Sequence, residues 1–231
     1  MEYLPGGLTL TPGSRAFPLS TDSMVLAHFI KLKRNAKVLD LGSGCGTLGL
    51  LLCATDQTCT VTGVELDANA HEAALANIAR NHLGNRLDSI CIDLRQLDPA
   101  YNGFFDCCVS NPPYFSGGPA SISHAQARRE DCCSIRELFT AAGKGLKYGG
   151  DFYLVHRPER LAELIAAGAE RKLEAKRLRL VRHRQTGDIS LILLQFRKGG
   201  KPGLQIDEIH LFDDNEQPSR FYREIYHIQE D

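Results

Sequence analysis

Lys37-Val38-Leu39-Asp40-Leu41-Gly42-Ser43-Gly44-Cys45-Gly46 decides how this chain folds. The first five residues read as a buried strand, and the glycines after them close it with a sharp turn. An apolar run through Leu52 follows and reads as a helix, which makes the unit a strand, a glycine loop and a helix. Glycines let the backbone turn tightly and let a ligand approach without Cβ clashes, while the start of the helix offers free N–H donors. The dinucleotide pattern G-x-G-x-x-G would need a glycine at position 47, where Thr47 stands. The spacing is instead G-x-G-x-G, preceded by an acid.

Outward from this unit the same alternation repeats. Thr60 to Glu65 reads as a second strand, and Asp67 caps an alanine-rich helix running to about Leu83. Ser89 to Asp93 is a short third strand, and Phe104 to Ser110 a fourth that stops at Asn111-Pro112-Pro113-Tyr114. Ser134-Ile135-Arg136-Glu137 is a capping box that opens a helix ending near Gly149-Gly150. Phe152 to Val155 is a fifth strand, and Pro158 starts a helix to about Arg171. Ala175 to Val181 and Ile189 to Arg197 read as two β runs joined by a polar turn at Thr186-Gly187-Asp188, and Leu204 to Tyr226 as irregular or strand-like. Strands alternating with helices predict an α/β fold with a mostly parallel sheet. Two segments fall outside the alternation. Residues 1–30 are a lead-in with Phe17, Ser20 and Asp22 ahead of a helix-like run, Met24 to Ile30; residues 115–133 form a long polar loop after Tyr114, a length more often functional than ordinary. Residues 31–231 are then expected to form the one catalytic domain.

Composition narrows the class. The 231 residues leave no room for two full enzyme domains, and 43% hydrophobic with 24% charged residues describes a globular chain rather than a disordered or fibrous one. With 27 basic against 28 acidic residues, overall basicity is excluded, though a local basic patch is not. MEYLPGGLTL lacks the basic and apolar regions of a secretory signal, and no apolar run reaches the roughly 18 residues of a membrane span. The eight cysteines contain no C-x-x-C, and the vicinal pairs Cys107-Cys108 and Cys132-Cys133 do not space a zinc site. They read as reduced thiols acting as small hydrophobes, so a cytoplasmic location and no metal are expected.

Three acids follow three successive strands. A dinucleotide site must neutralise a pyrophosphate, which Asp40 at the loop mouth would repel. Asp40 suits a ligand that is positively charged there, and S-adenosylmethionine, with its ammonium and sulfonium, is such a ligand. Glu65 is placed to accept hydrogen bonds from ribose hydroxyls, and Asp93 to bind the adenine amine. Any one of these acids alone reads as a surface carboxylate or helix cap; all three at strand ends point to a ligand.

Asn111-Pro112-Pro113-Tyr114 lies at the same sheet edge. The prolines fix φ and remove two donors, and Pro112 holds Asn111 extended. The Asn111 side-chain carbonyl and the Pro112 backbone carbonyl can accept both hydrogens of a planar amine, orienting its lone pair toward a methyl group and stabilising the developing charge. Tyr114 offers a face on which a flipped base stacks.

Together these residues resemble the Rossmann-like class I S-adenosylmethionine-dependent methyltransferases, in the amine-directed branch with an N-P-P-Y motif. Phe17 to Ala27 (FPLSTDSMVLA), residues 127–130 (ARRE) and residues 155–161 (VHRPERL) are similar to the bacterial tRNA adenine-N6 methyltransferases that modify the adenine beside the anticodon of a valine tRNA. That resemblance implies a seven-stranded, mostly parallel sheet with an antiparallel final hairpin, helices on both faces, and methyl transfer to a flipped adenine. The residues nominated are Asn111, Pro112 and Tyr114 for catalysis; Asp40, Gly42, Gly44, Gly46, Glu65, Asp93 and Asn111 for the cofactor; and Pro113, Phe115, Arg128, Arg129, Arg182 and Arg184 for the RNA. Between positions 177 and 201 seven Lys or Arg stand against one acid, Asp188, a local balance of +6 that reads either as a solvated strand face or as a phosphate-contacting edge. The rivals are a protein glutamine methyltransferase acting on a release factor, an rRNA or DNA adenine methyltransferase, and a non-catalytic cofactor-binding module. A monomer or weak homodimer is expected.

Overall fold

The computed structural model describes residues 1–12, 19–112 and 133–227. Two short strands, β1 (Glu2–Tyr3) and β2 (Thr9–Leu10), pair antiparallel at the start. Helix α1 (Thr21–Phe29) follows, capped by the Ser20 hydroxyl, and buries Met24, Val25, Leu26 and Phe29. The expected alternation then unfolds as β3 (Lys37–Leu41), α2 (Thr47–Thr55), β4 (Thr60–Glu65), α3 (Ala68–Arg80), β5 (Leu87–Cys91) and β6 (Phe105–Ser110). After it come α4 (Ile135–Gly145), β7 (Leu146–His156), α5 (Leu161–Glu170), β8 (Leu173–Arg184), β9 (Ile189–Lys198), β10 (Gln205–Phe212) and α6 (Arg220–Tyr226).

Among the described residues eight strands form one sheet, in the order β10-β8-β9-β7-β6-β3-β4-β5. β7, β6, β3, β4 and β5 are mutually parallel, and β9 inserts antiparallel between β7 and β8. Val38 packs with residues of α1, α2 and α3, whereas its neighbour Leu39 packs with Leu138 and Phe139 of α4 and Leu164 of α5. Alternate residues of one strand thus serve opposite layers, and a strand covered on both faces reads as a continuous apolar run. The architecture is the Rossmann-like one expected, with helices on both faces.

Two details differ from the sequence expectation. The sheet has an eighth strand, because Gln205–Phe212 adds parallel to β8 beyond the antiparallel hairpin; of the two readings of 204–226, the strand-like one holds for β10, and the end of the segment is the helix α6. The helix expected to end at Gly149-Gly150 stops at Gly145. The glycine pair instead lies inside β7, where the register to β6 slips between Phe105 and Cys107. Gly149 has φ +79°, and a Cβ on Gly150 would come within 3.0 Å of the Asp106 and Lys147 carbonyl oxygens. Glycine is required there by an irregular strand rather than by a helix end.

Candidate active site

The chain runs from β3 outward through β4 and β5, then crosses back to β6 on the other side of β3. The sheet's switch point therefore lies between β3 and β6, where open α/β sheets bind ligands beyond the strand carboxyl ends. The carboxyl end of β3 holds Asp40 and the glycine loop; Glu65 ends β4, Asp93 follows β5, and Asn111 follows β6. The buried Ser110 hydroxyl donates to the Leu41 carbonyl at 2.7 Å and ties the two central strands together at this point.

Gly42, Gly44 and Gly46 all have positive φ, +75°, +56° and +85°, a conformation that disfavours side chains. The amides of Gly42 and Ser43 both donate to the Val64 carbonyl, at 2.9 and 3.1 Å, so the loop folds over the end of β4. The Gly44 amide donates to Glu65 Oε2 at 2.8 Å, and the Asp67 amide to Glu65 Oε1 at 2.8 Å. Glu65 thus spends part of its acceptor capacity on the loop and on the start of α3; each carboxylate oxygen retains a further lone pair. Asn77, buried on α3, holds the loop from behind, with Nδ2 donating to the Cys45 carbonyl at 3.0 Å and to Thr11 at 3.1 Å. Its Oδ1 accepts the Thr11 amide at 3.0 Å. Residue 77 went unnoticed in the sequence, since an asparagine in an alanine-rich helix gives no sign of partners at positions 11 and 45.

Asp40 is 1% exposed, and neither of its carboxylate oxygens makes a hydrogen bond. Burial raises its carboxyl from the ordinary 3.8 to about 7, the Glu65 carboxylate adds to the rise, and the neighbouring Gly49 N–H, which falls short of hydrogen-bonding geometry, opposes it weakly. Buried polar groups are almost always bonded, so an orphaned carboxylate beside a glycine loop marks a place for a donor or a cation. Asp93 is differently placed. It caps a short 3-10 turn by accepting the Arg95 amide at 2.9 Å, and the Arg95 guanidinium Nε bonds both its oxygens at 2.9 Å. The arginine holds the Asp93 carboxyl below its usual range. An adenine amine at Asp93 must therefore share an already paired carboxylate.

Asn111 Nδ2 donates to the Ser23 hydroxyl of α1 at 3.0 Å. The lead-in helix, which falls outside the strand–helix alternation of the sequence, packs against the sheet and touches the motif. Ser23 is the second residue that sequence reasoning missed, although its place one helical turn after the capping Ser20 was visible. Pro113, Tyr114, Phe115, Arg128 and Arg129 lie outside the described residues.

The arginines of the basic tail are mostly paired with acids. Arg182 of β8 pairs with Glu208 of β10 at 3.0 and 3.2 Å and also donates to the Gly187 carbonyl; Arg184 pairs with Glu216. Arg179 bonds Asp207 at 2.8 and 2.6 Å, and Arg197 bonds Asp151 at 2.9 and 3.1 Å. Four of the seven basic residues between 177 and 201 thus have carboxylate partners outside that stretch, Asp207 and Glu208 on β10, Glu216 beyond it and Asp151 on β7, while Arg177 and Lys198 donate to the Phe29 and Leu146 carbonyls.

Among the described residues the cysteines are unpaired, and Cys45, Cys53, Cys59, Cys107 and Cys108 are buried. No described helix is long and apolar enough to cross a membrane, and no group of three or more His, Cys, Asp or Glu among the described residues could hold a metal.

Comparison with known proteins adds three findings. Residues 19–176 match the family model described as the methyltransferase small domain. A tRNA1(Val) (adenine(37)-N6)-methyltransferase from Shewanella sp. (strain W3-18-1) is 38% identical over 136 residues, covering 57% of this chain and 57% of that protein. A protein of the same name from Dickeya chrysanthemi is 32% identical over 190 residues, covering 80% of this chain and 75% of its own length. Among solved structures, a predicted O-methyltransferase from Agrobacterium tumefaciens superposes with a TM-score of 0.75 at 20% identity, over 90% of this chain and 96% of that one; at that identity the likeness concerns the fold.

Proposed function

The chain belongs to the methyltransferase small domain family, and from that premise we propose that it methylates the N6 amine of an adenine in tRNA, using S-adenosylmethionine. The observation that carries the cofactor assignment is the orphaned, buried Asp40 at a glycine loop whose three glycines all have positive φ. A cationic amino-acid group fits that donor set, and a pyrophosphate does not. The residues that would hold the cofactor are the loop at Gly42, Gly44 and Gly46 with Asp40, together with Glu65 toward ribose hydroxyls and Asp93 toward the adenine amine, while Asn111 would face the acceptor amine. Bound there, the cofactor supplies a methyl group on a sulfonium. The chain aligns with 57–60% of the length of the first curated relatives.

Asn111 and Pro112 do the chain's own chemistry. Their carbonyl oxygens accept the two hydrogens of the adenine amine, which turns the nitrogen lone pair away from the ring plane and toward the methyl carbon. The positive charge that methyl transfer would develop on the nitrogen would be shared with the two carbonyls until one proton leaves to water. Tyr114 stacks on the flipped base, worth about 1–3 kcal/mol. No general base is required, because most of the acceleration comes from holding the reacting atoms about 3–3.5 Å apart in line. The proposal predicts that Asn111→Ala loses turnover while binding cofactor within roughly fivefold of the parent protein. Calorimetry showing cofactor affinity lost along with turnover would make Asn111 a binding residue instead.

A further inference from the structure

We propose that Ser23 is a positioning residue that fixes the Asn111 carboxamide with its carbonyl oxygen toward the acceptor amine, an inference that rests on the role of Asn111 given above. Ser23 lies 88 positions before Asn111, on a helix outside the sheet, yet its buried hydroxyl accepts from Asn111 Nδ2 at 3.0 Å. The two ends of an asparagine amide have nearly the same shape, so hydrogen-bond partners alone decide which end faces where.

The partners here form a short chain. Ser20 caps α1 by accepting the Ser23 amide at 3.2 Å, and its hydroxyl oxygen lies 3.2 Å from the Ser23 hydroxyl. A serine hydroxyl has one hydrogen. With that of Ser23 directed to the cap, only lone pairs face Asn111, and they accept only from its NH2 end. Asn111 Oδ1 is then left facing away from α1, and no donor among the described residues takes it. Turned over, the amide would offer N–H groups to an amine that must itself donate, and the lone-pair orientation and charge stabilisation would both be lost. Pro112 already restricts the Asn111 backbone, so the side-chain orientation is the freedom that remains to be fixed.

The test compares the full chain with Ser23→Ala and Ser23→Thr in two measurements. One is steady-state methyl transfer to an unmodified tRNA transcript with cofactor affinity by calorimetry. The other is the side-chain NH2 signal of Asn111 in protein carrying 15N-labelled asparagine, assigned by its loss in Asn111→Ala. Ser23→Ala is expected to lower kcat on the order of 10- to 100-fold, as misplacement of a reacting group does. KM for tRNA and cofactor affinity should stay within about threefold, because the groups that bind them are untouched. Ser23→Thr should recover most of the rate, and the Asn111 signal should move in Ser23→Ala. An unchanged kcat in Ser23→Ala would overturn the inference, as would a threonine variant as slow as the alanine one. If the parent chain transfers no methyl to tRNA, the acceptor assignment fails, and the labelled signal then decides alone: moved by Ser23→Ala it supports the role, unmoved it overturns it.

Discussion

Asp40 sets the charge at the glycine loop. A carboxyl raised to about 7 by burial holds, in the folded protein, a proton that the unfolded chain gives up near its ordinary 3.8. The stability linked to that proton is complete below the lower value and is lost as the pH climbs through the upper one; it amounts to something on the order of 4 kcal/mol. A cation seated against Asp40 reverses the preference, since binding then favours the ionised form and expels the proton. Affinity for S-adenosylmethionine is thus predicted to rise by up to about tenfold per pH unit below 7 and to level off above it. Calorimetry across that range, in buffers of differing ionisation heat, should detect the released proton, and Asp40→Asn should abolish both the slope and the release. A flat affinity with no proton release in the parent protein would remove Asp40 from the cofactor site.

At the scale of elements, the edge of the sheet decides what the arginines can do. β10 runs parallel to β8 in a register that sets Asp207 opposite Arg179 and Glu208 beside Arg182. Such half-exposed pairs contribute only about 0–1 kcal/mol each to stability, so their larger consequence is to cancel charge. Arg182→Ala and Arg184→Ala are therefore predicted to leave the salt dependence of tRNA binding unaltered. Removing an arginine that neutralises a phosphate would lower the slope of log affinity against log salt by about 0.7–0.9, and a fall of that size would restore the arginines as RNA-binding residues. The sequence made the hairpin legible through its two apolar runs. It left β10 undecided between irregular and strand because Gln205, Asp207 and Glu208 are exposed and only Leu211 is buried, a strand with one edge and much of its face in water and no continuous apolar signal.

Over the whole molecule, what could be read from sequence follows how local the cause is. The glycine loop, the capping box at Ser134 and the buried strands are written in neighbouring residues, and they appear where expected. Asn77 behind the glycine loop and Ser23 behind Asn111 depend on partners 32 to 88 positions away, which only the fold supplies. The Gly149-Gly150 pair shows the same limit, since a helix terminus and a bulged strand both call for glycine, and register alone separates them. The sheet order places the cofactor loop and Asn111 on adjacent central strands, so a donor and an acceptor bound at this edge meet across the switch point. The measurement that tests this most directly is transfer of labelled methyl from S-adenosylmethionine to purified unmodified tRNA, with a release factor and duplex DNA as parallel acceptors and nucleoside analysis of the product. Label recovered as N6-methyladenosine in tRNA is the predicted result; label on a protein glutamine or on DNA, with none in tRNA, would contradict it.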